Sequence, residues 1–313
     1  MLFLYDIGYR FYFWLKRFRR WNFPKPIKKR LQKAYEWYDY YFGLFLNRKM
    51  VPWFEKHPVN WGLNTKKRDE SYTVSLTSFP ARINYVHIAI ETLMRQSFKP
   101  DNIVLWLAED QFPDRKLPEK LTSLKKCGLT IRFCGDLKSH KKYYYAFQEY
   151  PNDNILLADD DLFYATDTIN KLVKCHEKHP RDICAISAQI IAPQITAMPS
   201  LWPSVENGCR YVSSRNAQAF TGAGSLFPPK WYPQEVFDKE KAMSLAETAD
   251  DLWLKAMSLL VEVNTTVVYP PRGFPIEVAI ENNQTLFSQN GTAGGNQNDK
   301  VWSSLLEAYN IRE

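Results

Sequence analysis

The sequence predicts an α/β protein, built on a mainly parallel sheet flanked by helices and preceded by a basic, aromatic helical extension. Three observations predict it. From Ser71 onward, extended apolar runs alternate with helical segments about every 25 to 30 residues, as crossover units of a parallel sheet do. Residues 1–70 hold 16 Lys and Arg against 6 Asp and Glu, whereas residues 71–313 hold 25 against 28. The fourth apolar run, "NILLA", stops at three consecutive carboxylates, Asp159, Asp160 and Asp161. With 313 residues, 45% of them hydrophobic and 24% charged, the chain is long and apolar enough for one large core or two modest ones. The expected division is an extension over 1–70, a first half of the main body over 71–165 and a second half over 166–313.

The extension concentrates aromatic rings and positive charge. Residues 1–62 contain 20 of the chain's 47 Phe, Trp and Tyr, and residues 1–33 contain ten Lys and Arg against the single acid Asp6. Rings favour the headgroup layer of a bilayer and basic clusters are drawn to anionic lipid, so the first twenty residues, with Lys16, Arg17, Arg19 and Arg20 among Phe and Trp, suit a membrane surface. From Ile27 to Phe45 the apolar positions recur at helical spacing, which predicts an amphipathic helix, docked on the body or on the bilayer. The stretch before Arg10 is shorter than the ~20 apolar residues a spanning helix needs, and it shows no signal-peptide cleavage site. Peripheral contact with anionic membrane at the cytoplasmic face is therefore expected. No nucleic-acid-binding module accompanies the charge, so no nucleic acid is expected as a partner.

The elements follow in order. "SYTVSLTS" (71–78) is a strand ended by Phe79-Pro80, and Ile83, Val86, Ile90 and Leu93 mark a helix after it. "DNIVLWLA" is the second strand, Pro118 opens a short helix that ends near Gly128, and "LTIRFC" is the third strand. "KKYYYAFQEY" leads as a helix to the fourth strand, "NILLA". After Tyr164 the strand candidates shorten ("ICAISAQII", "RYVSS", "AQAFTGAGSLF", "TTVVY") around one helix over about 246–260, as a half that holds a different substrate would. Five cysteines with no C-x-x-C pair argue for buried free thiols in a reducing compartment. Asn264, Asn283 and Asn290 match a glycosylation pattern that matters only inside a secretory lumen.

In parallel sheets ligands bind outside the carboxyl ends of the strands, so the acidic run sits at the expected ligand edge. On an extended strand Asp159 and Asp161 would point to one side, about 6 to 7 Å apart at their α-carbons, with Asp160 opposite. Two carboxylates so spaced could share a hard divalent cation, which keeps open positions for phosphate oxygens. The alternative is an acidic loop capping the helix that starts near "DTINKLV".

"VSLTSFPARI", "MRQSFKPDNIVLWLA", "SHKKYYYAF" and "NILLADDDLFY", taken together and in this order, resemble the nucleotide-diphospho-sugar glycosyltransferases of GT-A (Rossmann-like) fold, in particular bacterial family 2-like enzymes of capsule and lipopolysaccharide assembly. The likeness covers Ser71 to about Tyr164 well and is looser to about Leu260. It implies that Asp159 and Asp161 hold Mn2+ or Mg2+ on the donor diphosphate, with Asp160 beside them. It implies nucleotide contacts from Thr77, Ser78, Phe79 and Arg82, and a basic residue at Lys141 or Lys142. Negative charge grows on the departing diphosphate, and Arg82, Lys141 and Lys142 are the cations near that edge to meet it. Phe79 has two equal readings, stacking on the base or packing beneath its loop. The implied partners are a nucleotide-sugar donor and a glycan or lipid-linked glycan acceptor.

"TADDLWLKAM" supplies a second acidic pair. Thr248 is a candidate helix cap with Asp250 and Asp251 in the first turn, where acids are favoured by the helix dipole. An inverting transferase also needs a carboxylate to take the acceptor proton, and the family's acidic motif at a helix start resembles "ADD" here, which makes Asp251, then Asp250, the candidate base. Gly222 and Gly224 in "FTGAGS" suggest close backbone approach to a sugar, or a plain turn. The resemblance implies a late His as a further metal ligand, but no His follows His179, so water, Asn298 or Asp299 would have to substitute; His176 and His179 are weak ligand candidates. Trp202, Trp231 and Trp253 are sugar platforms or core. The competing readings are a sugar-nucleotide nucleotidyltransferase, which would bring an early Gly-rich loop that "SLTSFPAR" lacks, and a non-catalytic scaffold of the same fold.

Overall fold

The four apolar runs of the first half become strands because each is flanked by turn residues; three of them carry side chains that tolerate burial on both faces, and the remaining one, "LTIRFC" at the sheet edge, exposes Arg132. They are Tyr72–Thr77 (β1), Asn102–Ala108 (β2), Leu129–Cys134 (β3) and Asn154–Leu157 (β4). The computed structural model describes residues 1–18, 21–203, 213–268, 274–279 and 297–312. Three further strands, Ile183–Ala185 (β6), Ser225–Phe227 (β9) and Thr265–Val267 (β10), complete one seven-stranded sheet of order β3-β2-β1-β4-β9-β6-β10. Every pairing is parallel except the two made by β9, which runs against both β4 and β6. The predicted mainly parallel sheet is thus a mixed one with a single reversed strand, and it runs through both the 71–165 and 166–313 segments.

Helices lie on both faces. Val86–Met94 (α4), Glu119–Ser123 (α5) and Thr168–His176 (α7) lie against one set of sheet side chains, around Leu76, Leu105 and Leu156. Lys141–Glu149 (α6), Lys239–Ala246 (α8), Asp250–Leu260 (α9) and Gln297–Ala308 (α10) share the other core, around Phe147, Leu157 and Trp253. Two of these helices, α8 and α10, were not anticipated. In α10 only Val301, Trp302 and Leu305 are buried, a stripe too narrow to stand out in the sequence. The run "ICAISAQII" splits, since Ala188–Ile190 (β7) leaves the sheet to pair with Ala217–Ala219 (β8). Trp253 and Trp202 are core side chains, while Trp231 is partly exposed under Arg181. Cys127, Cys134, Cys175 and Cys184 are free and buried; Cys209, Asn283, Asn290, Arg19 and Arg20 lie outside the described residues.

Leu2–Phe18 (α1), Lys25–Phe45 (α2) and Val51–Lys56 (α3) form the extension. Tyr5, Tyr9 and Tyr12 face inward, and two of them reach the strand that follows the acidic run, Leu162–Phe163 (β5). The Tyr5 hydroxyl donates to the Tyr164 carbonyl and the Tyr9 hydroxyl to the Phe163 carbonyl, both at 2.6 Å. Thr166 donates to Asp6 at 2.5 Å, and the Lys16 ammonium donates to the Phe274 carbonyl at 2.7 Å. A buried phenol needs such a partner for its polar end. The first helix is therefore part of the core on one face, which a purely interfacial segment would not be. Its other face leaves Phe3, Leu4, Ile7, Phe11 and Trp14 exposed.

Tyr5→Phe strips the Tyr164 carbonyl of its donor and is expected to lower stability by about 1–3 kcal/mol, read as a reduced urea midpoint. Phe3→Ser, on the outer face, should stay within about 0.5 kcal/mol of the parent. Equal stability of Tyr5→Phe and parent would contradict the seating of α1.

Candidate active site

The carboxyl ends of β1 and β4 point the same way because the two strands are parallel, and the reversed β9 enters the sheet at that same edge. Topology therefore gathers four segments: Ser78–Arg82 after β1, Asp159–Asp161 after β4, Thr221 and Gly222 ahead of β9, and Lys142 at the start of α6, which follows β3. The start of α9 joins them through Asp250 and Asp251.

The acidic run does not continue the strand. β4 ends at Leu157, Asp160 and Asp161 form a turn into β5, and the alternation that would set Asp160 opposite Asp161 is lost. Both carboxylates meet one guanidinium instead: Arg82 is 2.9 Å from Asp160 and 2.8 Å from Asp161. Ser78 donates a 2.5 Å hydrogen bond to the other Asp160 oxygen. Arg82 also lies over the Phe79 ring, 5.5 Å from its centroid, so Phe79 has a cation above it. Thr77 is turned to the sheet, donating to the Trp106 carbonyl at 2.8 Å.

Lys142 joins the two acidic clusters. Its ammonium, almost fully buried, lies 2.7 Å from Asp159 and 3.2 Å from Asp250. Lys141 goes elsewhere, to Asp136 at 2.6 Å. Two lysines in a first helical turn oppose the helix dipole, so their carboxylate partners hold them there. The sequence left Lys141 and Lys142 as alternatives, and only Lys142 reaches the carboxylates.

Gly222 has no room for a side chain, because a β-carbon there would lie 1.6 Å from an Asp159 oxygen. The close approach predicted for this glycine is thus to Asp159. Gly224, at φ +99°, takes a backbone conformation that favours glycine. Tyr164, which sequence reasoning passed over inside "DDDLFY", fixes both partners: its hydroxyl accepts from the Asp159 amide at 2.8 Å and donates to the Gly222 carbonyl at 2.6 Å. Thr221, also passed over beside the glycines, holds the second pair. Its amide donates to Asp251 at 3.0 Å and its hydroxyl to Asp250 at 3.1 Å, with a further short contact from the hydroxyl to Asp251. Ala249 stands at the cap position of α9, not Thr248.

The electrostatics separate the carboxylates. Burial, then the charges of Asp159 and Asp160, push Asp161 up to about 7. Burial raises Asp160 as well, against the pull of Arg82. Burial and the adjacent Asp250 push Asp251 up to about 7. Asp250 moves the other way, because Lys142 and His140 outweigh its burial. Lys142 is held protonated despite burial by Asp159, Asp250 and Asp251. Asp299, offered as a metal ligand by the sequence, is bound by the Ser200 amide and hydroxyl at 2.8 and 2.7 Å. Among the described residues, no three or more His, Cys, Asp or Glu side chains gather as a metal cage.

No protein-family model and no curated protein matches the sequence. Among solved structures, S. aureus TarS 1-349 in complex with UDP-GlcNAc is similar at 13% identity and a TM-score of 0.44, over 71% of this chain and 62% of that one. TarS 1-349 alone gives 13% identity and 0.42, over 65% and 59%. The mannosyltransferase PcManGT from Pyrobaculum calidifontis, in complex with GDP-Man and Mn2+, gives 14% identity and 0.42, over 80% and 68%. The chain thus spans about three fifths of the length of the two TarS chains.

Lys142→Met removes the shared cation and leaves buried carboxylates uncompensated, at a cost of about 3–5 kcal/mol. Because Asp250 is depressed by Lys142, this contribution is present above the ordinary Asp value of about 3.9 and lost as pH falls below it. The stability gap between parent and variant should be wide at pH 7 and close towards pH 3. A gap independent of pH would argue against the ion pair.

Proposed function

We propose that this protein is a metal-dependent glycosyltransferase that moves a sugar from a nucleotide-diphosphate donor to a glycan or lipid-linked glycan acceptor. One observation carries the reading. At the ligand edge of the sheet, five carboxylates (Asp159, Asp160, Asp161, Asp250 and Asp251) face two cations, Arg82 and Lys142. Burial, reinforced by the charges of Asp159 and Asp160, pushes Asp161 up to about 7, a state that a divalent cation beside it would relieve.

Asp159 and Asp161 would hold Mn2+ or Mg2+, and two carboxylates alone leave the remaining positions to diphosphate oxygens and water. Bound there, the ion would neutralise charge growing on the departing diphosphate. Tyr164 holds the Asp159 backbone beside Gly222, whose missing side chain leaves room for the Asp159 carboxylate. Arg82 and Lys142 hold Asp160, Asp161, Asp159 and Asp250 against mutual repulsion. Asp251, gripped by Thr221, takes the acceptor hydroxyl proton; a carboxylate near 7 is suited to accept it at neutral pH.

The acceptor's location follows from the extension. Along α1 and beyond it, Phe11, Trp14, Phe18 and Trp21 form a ladder of ring contacts, with centroids 5.6, 4.8 and 5.2 Å apart in turn. Phe3, Trp37 and Tyr41 of the extension are exposed as well, as are its Arg10, Lys25, Lys28 and Lys29. Rings flanked by basic residues favour an anionic bilayer surface, here the cytoplasmic face. Among the described residues, no helix is long and apolar enough to cross a membrane.

A thermal-shift screen of nucleotide sugars should find at least one that raises Tm only with Mn2+ or Mg2+, and Asp161→Asn should remove that metal dependence. A shift that survives Asp161→Asn unchanged would refute the assignment. With the donor found, transfer should rise with pH through about 7 as Asp251 loses its proton, and Asp251→Asn should flatten the rise with a loss of roughly 10²-fold or more. Phe3→Ser with Trp14→Ser and Trp37→Ser should reduce co-sedimentation with phosphatidylserine vesicles without lowering Tm; full retention would rule out this membrane face.

A further inference from the structure

A cavity of about 890 Å³ lies between the extension and the main body, within the range of small-ligand sites. One wall is α1 and α2; the other is the start of α4 and Ile276–Glu277 (β11), the strand that pairs with β5. Four tyrosines line it, Tyr12, Tyr35, Tyr40 and Tyr85. Between them stand the amides of Asn47 and Asn84 and the imidazole of His87. His87 is buried, yet neither ring nitrogen has a hydrogen-bond partner among the described residues, and Nε2 stops 3.7 Å from Glu55.

The charges describe that ligand. Lys16, Arg48 and Lys120 on the lining are matched in number by Asp39, Glu55 and Glu277. Lys16 is committed to the Phe274 carbonyl and Lys120 to Glu55 at 2.6 Å. Burial pulls His87 below its usual range, so it adds no charge at neutral pH. An evenly charged lining does not select a polyanion. Aromatic faces interleaved with amide, carboxylate and imidazole groups do suit a neutral polyhydroxylated molecule, whose apolar ring faces stack and whose hydroxyls bridge donors and acceptors.

The cleft also adjoins the carboxylate site. Asn84 and Tyr85 stand two and three residues after Arg82 in the chain, and next to Glu277 the Val278 amide donates to the Asp161 carbonyl at 2.7 Å. Tyr40 lines the cleft and is exposed on the helix that carries the outward Trp37. We propose that the cleft is a carbohydrate subsite that holds the acceptor glycan behind its reacting sugar, an assignment that rests on the transferase reading above.

The test uses the full chain on an array of immobilised neutral oligosaccharides, beside a variant carrying Asn84→Ala and Tyr40→Ala. Both positions are exposed and neither belongs to the carboxylate site. The parent should capture at least one oligosaccharide and the variant should bind it roughly tenfold or more weakly, while the metal-dependent donor shift in Tm stays unchanged. Equal capture by both proteins overturns the subsite, as does a parent that shows the donor shift yet captures no oligosaccharide. Loss of phosphatidylserine-vesicle binding in the variant, with sugar capture intact, also overturns it and makes the cleft a lipid headgroup site. Absence of any donor shift, with sugar capture lost in the variant, sinks the transferase reading and leaves a carbohydrate site.

Discussion

The buried ammonium of Lys142 is the contact on which the rest of the site depends. It draws together a carboxylate from the end of β4 and one from the start of α9, side chains 91 positions apart in the sequence. Two such groups brought into a low-dielectric edge would repel strongly without a cation between them. The contact thus does more than balance charge. It sets where α9 begins relative to the sheet, and with it where Thr221 must sit to hold Asp250 and Asp251. Arg82 performs the same service for Asp160 and Asp161. Neither cation neutralises everything it touches, and the five carboxylates outnumber the two cations that hold them.

The extension and the site are not independent parts. The helix that exposes Phe3, Phe11 and Trp14 outward uses Tyr5 and Tyr9 to grip the carbonyls of Tyr164 and Phe163, and Tyr164 in turn positions Asp159 and Gly222. Two hydrogen bonds and one aromatic side chain therefore separate the outward face from a candidate metal ligand. A body pressed against a surface through α1 would hold its carboxylates at a fixed height above that surface.

Much of this was legible in the sequence, and the misses have physical causes. The first four strands and their helices are long, strongly patterned runs, so period and turn residues located them within one to four residues at each end. The second half was harder because its strands have two or three residues, too few for a period to show. The acidic run was found, but its geometry was not. Strand alternation predicted opposite directions for Asp160 and Asp161, whereas a turn begins at Asp160 and both meet Arg82. Choosing between Lys141 and Lys142 required knowing which way α6 faces, and tertiary packing decides that. Thr221 and Tyr164 carry no motif of their own; their importance arises only when β9 and β5 come beside the carboxylates.

The seating of α1 on Tyr164 has a consequence for biosynthesis. Tyr5 leaves the ribosome 159 residues before the carbonyl that receives its hydroxyl, an interval of roughly 8–32 s at ordinary elongation rates. During that interval the inner rings of α1 have only Phe42, Leu46, Met50 and Phe54 of the extension to pack on, and its outer rings stay bare. A nascent chain in this state is sticky, and an adjacent bilayer or a holding chaperone is what would keep it from aggregating until β5 is made.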